Sequence, residues 1–243
     1  MEEGRDLVAC FRAATDARAA GRALSERGVR HRLVTDIPEG DPLESFRLAS
    51  RPFLVGARFW IDPGDPSAAQ PPAGRIALRL PATRAFGTGA HQSTRLALLA
   101  LEQERLDACR VLDAGTGSGI LALAAVALGA KCAVGFDTDA EAVFVARENV
   151  RRHAFGGRVS LFAGEAASIA GKFPLVVANL LPREFFAASA ALLPRVAARG
   201  RFLLSGIPAN EEEAVLRRIR SPRWSLAGRI AEDGWTCLSV ERV

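Results

Sequence analysis

The chain has 243 residues, of which 49% are hydrophobic and 24% charged, a composition that is typical of a folded globular protein and excludes a disordered one. No apolar run approaches the roughly 18 residues that a membrane-spanning helix needs. The first residues, MEEGRDLVACFR, lack the hydrophobic core of a signal peptide. We therefore expect a cytoplasmic protein of one or two domains that does not associate with a membrane.

The net charge of +5 raises the question of nucleic-acid binding. The basic residues are spread along the chain without a dense tract, and tyrosine is absent, which leaves little for stacking bases. We expect an arginine-rich solvated surface and no direct contact with nucleic acid. The cysteines form no C-x-x-C pair, which favours structural thiols over a metal or disulfide site; they are Cys10, Cys109, Cys132 and Cys237.

The N-terminal quarter predicts a small α/β module. The segments RDLVACFRA, DARAAGRALSERG and VRHRLVTDI predict a strand, a helix that ends at Gly28, and a second strand. A short helix at residues 41–50 and one strand, FLVGARFWI, are predicted next. The Pro-rich segment DPGDPSAAQPPAG predicts a linker. These patterns place the small module at residues 1–61, the linker at residues 62–74 and a larger domain at residues 75–243.

In the larger domain, strand and helix patterns alternate after the strand RIALRL and the loop PATRAFGTGAHQST. From Arg110 onward the alternation repeats five times, and a hairpin that turns at Asp233 and Gly234 closes the series. This order predicts an α/β fold with a Rossmann-like, doubly wound, mostly parallel seven-stranded sheet and an antiparallel C-terminal hairpin. Ligands of such sheets bind at the carboxyl ends of the strands.

The segment VLDAGTGSGIL places glycines at alternate positions where the first strand of this alternation gives way to a helix. Backbone amides and a helix N-terminus meet a ligand at such a loop, which suits a nucleotide phosphate, a dinucleotide or a sulfonium cofactor. The spacing is G-x-G-x-G after Asp113, whereas a dinucleotide fingerprint has a third glycine where Ile120 stands. The spacing therefore argues against NAD.

Three polar side chains follow the next strands. Asp137 ends the second strand, where a carboxylate can accept both hydroxyl protons of an adenosine ribose, while Asp139 is expected to cap the next helix. Glu165 follows the third strand and lies either beside an adenine or in the first turn of a helix. Asn179 ends the fourth strand, where its amide either accepts a hydrogen bond from an incoming amine or orders the loop.

The loop AFGTGAHQSTR carries an aromatic residue, Phe86, between the strand RIALRL and a helix, and we predict that it forms a flap over the cofactor. Ser93 or Thr94 is expected to cap the helix that follows. His91 has no partner ligands at metal spacing, and His153 is expected at the surface. We assign no histidine a catalytic role.

The sequence shows no G-x-S-x-G elbow, no G-K-[ST] phosphate loop and no paired catalytic carboxylates. A binding apparatus with little acid–base machinery suits methyl transfer from S-adenosyl-L-methionine (SAM). That reaction is an in-line displacement on an activated sulfonium, for which the protein mainly aligns the two reactants.

Five segments together resemble the ribosomal protein L11 methyltransferases: FGTGAHQSTRLALLALE, VLDAGTGSGILALAAVALGA, VGFDTDAEAVFVARENVRRH, VVANLL and GRFLLSGI. The glycine motif alone indicates a class I SAM-dependent methyltransferase, and F-G-T-G with A-N-L-L narrows the resemblance to this family. It runs from about Pro42 to the end of the sequence. The resemblance implies SAM as cofactor and methylation of lysine side-chain and N-terminal amines of ribosomal protein L11. It makes residues 1–61 a shortened substrate-recruiting module and residues 75–243 the catalytic domain.

The resemblance also implies roles for individual residues. Phe86 and Thr88 would close on the methionine part of SAM, and Asp137 would hold the ribose. Asn179 would face the target amine, with bulk water taking its proton. The remaining predicted cofactor-binding residues are Asp113, Gly115, Thr116, Gly117 and Glu165.

We expect a monomer with no metal. The alternatives that the sequence leaves open are a methyltransferase of another protein or of a small-molecule amine, an NAD-dependent oxidoreductase, and a non-catalytic binding module.

Overall fold

The structure, a computed structural model, describes residues 14–28, 52–63, 70–80 and 89–243. The chain separates into two compact units, Met1–Glu44 and Ser45–Val243. In the first unit, helix α1 (Ala14–Glu26) confirms the helix predicted there, and Gly28 follows it with a positive φ of 69°. The strands predicted on both sides of α1, the helix predicted at residues 41–50, and the residues Phe86 and Thr88 lie outside the described residues.

The second unit begins with a three-stranded sheet of β1 (Phe53–Val55), β2 (Phe59–Asp62) and β3 (Ile76–Arg79). The prediction of one strand over residues 53–61 is wrong, because β1 and β2 form an antiparallel hairpin. The turn is stabilised from a distance: the carboxylate of Glu102 accepts hydrogen bonds from the amides of Ala57 and Arg58 at 3.0 and 2.9 Å. Strand β3 then pairs in parallel with β2. The assignment of residues 1–61 to a recruiting module and of residues 62–74 to a linker stays a prediction.

The main sheet has seven strands in the spatial order β6-β5-β4-β7-β8-β10-β9. The contacts from β6 to β8 are all parallel, and β10 pairs antiparallel with both β8 and β9. This arrangement confirms the predicted fold class. The strands are β4 (Arg110–Ala114), β5 (Cys132–Asp137), β6 (Val159–Ala163), β7 (Phe173–Asn179), β8 (Val196–Pro208), β9 (Trp224–Glu232) and β10 (Trp235–Arg242).

Helices cover both faces of this sheet. Because side chains alternate along a strand, Val111 of β4 lies in the hydrophobic core on one face and Leu112 in the core on the other. The first core includes apolar residues of α2 and α3, and the second includes those of α5 and α6. The helices are α2 (Gln92–Glu102), α3 (Ile120–Ala127), α4 (Ala140–Arg151), α5 (Pro182–Leu192) and α6 (Glu212–Ile219). In the described part of the chain, no helix is long and apolar enough to span a bilayer.

The order of the strands fixes where a ligand can bind. From β4 the chain proceeds to β5 and β6 on one side, and it then returns to place β7 on the other side of β4. The connections that leave β4 and β7 therefore diverge, and they open a crevice at the carboxyl ends of these strands.

Candidate functional site

A cavity of about 960 Å³ lies at this crevice, and it is lined by residues at or next to the carboxyl ends of β4 to β8 and by the first residue of β10. The structure brings together five of the nine predicted site residues in its wall: Gly115, Gly117, Asp137, Glu165 and Asn179. Two more, Asp113 and Thr116, lie directly behind the wall. Phe86 and Thr88 are outside the described residues, so their predicted contacts with the cofactor stay predictions.

The glycine loop connects β4 to α3 and forms one wall of the cavity. Gly115, Gly117 and Gly119 have φ values of 69°, 52° and 83°, in the left-handed region that glycine adopts without strain. The amides of Gly115 and Thr116 both donate to the carbonyl of Phe136 on β5, at 3.0 and 2.9 Å. The loop is therefore attached to the neighbouring strand, with the backbone at Gly115 and Gly117 facing the cavity.

Asp113 supports this loop from inside the protein. Its side chain is fully buried, and one carboxylate oxygen accepts hydrogen bonds from the Thr116 hydroxyl at 2.6 Å and from the Ala122 amide at 3.0 Å. Burial raises the pKa of the Asp113 carboxyl to about 6, although both hydrogen bonds oppose this shift. Neither Asp113 nor Thr116 lines the cavity, so we infer that both act on a bound cofactor through the shape of the loop.

Asp137 ends β5 and faces the same cavity. One carboxylate oxygen accepts from the Gly117 amide at 2.9 Å, and the other accepts from the Asp139 amide at 3.0 Å. Each ionised oxygen can accept a further hydrogen bond, which suits a pair of vicinal hydroxyl groups. Asp139 caps α4 by accepting from the Glu141 amide at 2.8 Å, as predicted.

The opposite end of the cavity combines Glu165 with an apolar surface. Glu165 precedes a short 3₁₀ helix (Ala166–Ser168) without capping it through its side chain. Alanine and leucine side chains of α5, among them Ala188 and Leu192, complete this part of the wall. An apolar slot with one carboxylate at its edge is suited to a planar base that carries an amino group.

Asn179 ends β7 on the other side of the glycine loop. Its side-chain amide donates to the hydroxyl of Thr94 at 3.0 Å, which leaves the amide oxygen as the acceptor available at the cavity. Gly206 on β8 has a φ of 84°, and a Cβ at this position would lie 2.5 Å from the Leu180 carbonyl oxygen and 3.0 Å from Oδ1 of Asn179. Only glycine at this position lets β8 approach the end of β7 so closely.

The lining residues that were not predicted from the sequence include His91, Ser93 and Trp235. The rings of His91 and Trp235 meet edge to face with centroids 4.8 Å apart. His91 also caps α2, since its Nδ1 accepts from the Ser93 amide at 3.3 Å, and the prediction of a Ser93 or Thr94 cap is therefore wrong. The turn predicted at Asp233 and Gly234 puts Trp235 in a hairpin, but no pattern in the sequence indicates that this hairpin reaches the cavity.

The residues present fit an adenosine-type cofactor. The wall of one cavity contains the glycine loop, a carboxylate suited to a ribose and an apolar surface. A Cβ on Gly115 would lie 2.5 Å from the side chain of Leu180, so the loop has no room for a larger residue there. In the described segments, no group of three His, Cys, Asp or Glu side chains is arranged to hold a metal ion. The fold and this site define a class I SAM-dependent methyltransferase.

Comparison with known sequences gives the family. A sequence model of the family described as "Ribosomal protein L11 methyltransferase (PrmA)" matches residues 2–243. A ribosomal protein L11 methyltransferase from Geobacter metallireducens is 40% identical over 206 residues, which are 84% of this chain and 67% of that protein. One from Geotalea uraniireducens is 34% identical over 232 residues, covering 90% of this chain and 73% of the relative. The chain belongs to the ribosomal protein L11 methyltransferase family.

Solved structures agree with this assignment. The crystal structure of a ribosomal protein L11 methylase from Lactobacillus delbrueckii subsp. bulgaricus superimposes with a TM-score of 0.72 and 28% identity, over 79% of this chain and 99% of that one. A putative rRNA methylase from Clostridium thermocellum, at 15% identity and a TM-score of 0.52, covers 63% of this chain and 98% of that chain and shares the fold. The enzyme is accordingly a SAM-dependent methyltransferase.

Proposed function

We propose that this enzyme transfers methyl groups from SAM to amino groups of ribosomal protein L11, at lysine side chains, the N-terminal amine or both. The observation that carries the proposal is the placement of Asn179. Its side-chain amide donates to Thr94, and the residue lines the same cavity as the glycine loop and Asp137. An uncharged amide oxygen beside a cofactor site can accept a hydrogen bond from an amine and orient it, and it stabilises the protonated form less than a carboxylate would.

Within the proposal, each residue has a defined task. Gly115 and Gly117 present backbone to the methionine portion of SAM, with Thr116 and Asp113 holding the loop in shape. Asp137 accepts the two ribose hydroxyl protons, and Glu165 accepts the amino group of the adenine. Phe86 and Thr88 are proposed to cover the methionine portion, as the family resemblance implies.

The target amine must lose its proton before it can attack. SAM supplies a methyl group that its sulfonium already activates. A lysine of pKa about 10.4 is neutral in roughly one molecule per thousand near pH 7.4, which costs about 4 kcal/mol. The side chains of Leu180 and Leu181, which line the cavity next to Asn179, would disfavour the ammonium form and lower this cost. Bulk water takes the proton, and no side chain is needed as a general base.

The substrate and the setting of the reaction form part of the same proposal. Relatives named for ribosomal protein L11 support it as the substrate, and a ribosomal substrate supports a reaction in the cytoplasm. A monomer as the active species is part of the proposal. The N-terminal module at residues 1–61 is proposed to recruit the substrate.

The test is incubation of the purified enzyme with methyl-labelled SAM and ribosomal protein L11, followed by intact-mass spectrometry and peptide mapping. Mass gains in steps of one methyl group on L11, located at amines, are the expected result. SAM binding by calorimetry is measured on the same preparation. Binding without any mass gain on L11 would overturn the proposed substrate and redirect the search to other proteins or small-molecule amines.

A further inference from the structure

His153 is held by the main chain of two separate segments, although the sequence placed it at the surface. It lies just after α4 and is half-buried, with its ring 5.2 Å from that of Phe155. Its Nδ1 lies 2.7 Å from the carbonyl oxygen of Asn149, and its Nε2 accepts a hydrogen bond from the Arg79 amide at 3.2 Å. The expectation of a surface histidine is therefore wrong, and the reason is a contact with a strand far away in the sequence.

These two contacts define the chemical form of the ring. The Asn149 carbonyl can only accept, so Nδ1 carries the proton and donates it. The Arg79 amide can only donate, so Nε2 must be unprotonated. The neutral imidazole therefore makes both hydrogen bonds, whereas a protonated ring must give up the bond from Arg79.

Asn149 connects His153 to the cofactor loop. Its side chain is 3% exposed, and its Nδ2 donates to the carbonyl oxygen of Ser118 at 2.9 Å. Ser118 lies between Gly117, which faces the cavity, and Gly119, where α3 begins. A path thus runs from β3 through His153 to the main-chain carbonyl of Asn149, and from the side-chain amide of the same residue to the middle of the glycine loop.

The surroundings of the ring favour the neutral form. Burial lowers the pKa of His153, the positive charges of Arg79 and Arg152 lower it further, and the hydrogen bond to Asn149 opposes the shift. Arg79 is in turn paired with Asp62 of β2, whose carboxylate lies 3.9 Å from its Nε. Near pH 7 and above, the ring is neutral and the path is intact.

We propose that His153 is a positioning residue for the cofactor. By joining β3 to the main chain of Asn149, it holds the side-chain amide of Asn149 against the Ser118 carbonyl. This contact keeps the glycine loop in the conformation that receives SAM. The residue does not line the cavity and touches no reactant. The inference depends on SAM as the cofactor and is independent of which amine is methylated. It predicts that protonation of a residue behind the site weakens cofactor binding.

The first test measures SAM and S-adenosylhomocysteine affinity by calorimetry for the wild type, His153→Leu and His153→Gln. The leucine variant removes both hydrogen bonds and should weaken binding about fivefold to tenfold. The glutamine variant keeps an acceptor for the Arg79 amide and should stay within about twofold of the wild type at pH 8. Because glutamine does not titrate and the pKa of His153 lies below its ordinary value of 6.5, wild-type affinity should fall relative to His153→Gln only as the pH drops through that lowered pKa.

The matched control is Arg158→Met. Arg158 donates to the carbonyls of Ala130 and Val126 at 3.1 and 3.3 Å, at the end of α3 far from the glycine loop. This variant also loses two hydrogen bonds to main-chain carbonyls, and it should lower the thermal midpoint without changing SAM affinity. Equal losses of affinity in Arg158→Met and His153→Leu would overturn the proposal, as would unchanged affinity in His153→Leu.

A double-mutant cycle with Asn149→Leu tests the path itself. If His153 acts through Asn149, the affinity lost in the double variant should be clearly less than the two single losses combined. Additive losses would overturn the proposal. If His153→Leu fails to fold, the cycle is run with His153→Phe, which also removes both hydrogen bonds, and additive losses in that cycle would overturn the proposal. No step uses ribosomal protein L11, so the proposed substrate can fail while this inference stands.

Discussion

The amide of Asn179 and the hydroxyl of Thr94 form a 3.0 Å hydrogen bond that joins the end of β7 to the first turn of α2. In this bond the amide nitrogen is the donor, so the amide oxygen remains an acceptor. Asn179 lines the cavity together with the glycine loop and the rings of His91 and Trp235. An acceptor that is fixed before substrate arrives is the arrangement that methyl transfer to an amine requires.

Replacement of Asn179 by alanine should therefore slow methyl transfer by one to two orders of magnitude, on the order of the hundredfold cost of misplaced reactants. SAM affinity should change by less than about threefold, because the cofactor is held mainly by the loop and Asp137. The measurement is single-turnover methyl transfer alongside calorimetry. Thr94→Val, which removes only the hydroxyl that contacts Asn179, should give a smaller loss of rate. If Asn179→Ala lost as much SAM affinity as methyl-transfer rate, the role of Asn179 at the amine would be refuted.

Asp137→Ala should weaken SAM binding by about 2–4 kcal/mol, since the proposed ribose site would lose its charge-assisted hydrogen bonds. Asp139→Ala is the matched control, because this neighbouring aspartate caps α4 and does not line the cavity. The control should cost about 1 kcal/mol in the free energy of unfolding and leave SAM affinity unchanged. Calorimetry that finds similar SAM affinity for both variants would remove Asp137 from the ribose site.

Gly206→Ala should destabilise the protein more than Gly234→Ala. Both glycines have positive φ, 84° and 76°, so each substitution adds left-handed strain of about 1–2 kcal/mol. At Gly234 a Cβ meets nothing within 4 Å, whereas at Gly206 it would lie 2.5 Å from the Leu180 carbonyl oxygen. Urea unfolding should show the larger loss for Gly206→Ala, accompanied by slower methyl transfer because Asn179 and Leu180 must shift. Equal losses of stability in the two variants would show that the end of β7 can move away from the added Cβ without a cost in free energy.

Asp113 makes stability depend on pH in a defined direction. Its pKa of about 6 in the folded protein is above the reference value of 3.8, so the folded state binds the proton more tightly than the unfolded state. Its contribution to the free energy of unfolding is therefore fully present below about pH 4 and is lost as the pH rises through about 6.

Thermal midpoints of the wild type and Asp113→Asn, compared at each pH from 5 to 8, isolate this contribution. The amide oxygen of Asn can still accept from Thr116 and Ala122, but it does not titrate. The wild type should lose stability relative to the variant as the pH rises from 5 to 7. A difference in midpoint that stays constant across this range would contradict the raised pKa.

The sequence was sufficient to predict the parts of the site that follow from local pattern and strand direction. Gly115, Asp137 and Asn179 each end or follow an apolar strand, and parallel strands bring their carboxyl ends to one edge. The hairpin at residues 53–62 was missed because the side chain that ties its turn, Glu102, is 44 and 45 residues away from the amides it binds. Local patterns do not contain such contacts.

The same limit explains the errors at the histidines. His153 binds an amide 74 residues away, and its own neighbourhood in the sequence is polar, so the local pattern indicated the surface. His91 contacts Trp235, whose position depends on how β10 joins the sheet. In both cases the role of the residue is set by tertiary contacts that form only when distant segments pack together.

The position of β10 has a consequence for the synthesis of the protein. Among the strands of the described residues, β9 pairs with β10 alone, and β10 lies between β9 and β8, although β9 precedes it in the chain. A nascent chain that has emerged only as far as Gly234 therefore lacks the strand that joins β9 to β8, and it lacks Trp235 in the cavity wall. Translation must proceed past β9 before the enzyme can assemble the complete pocket for its cofactor.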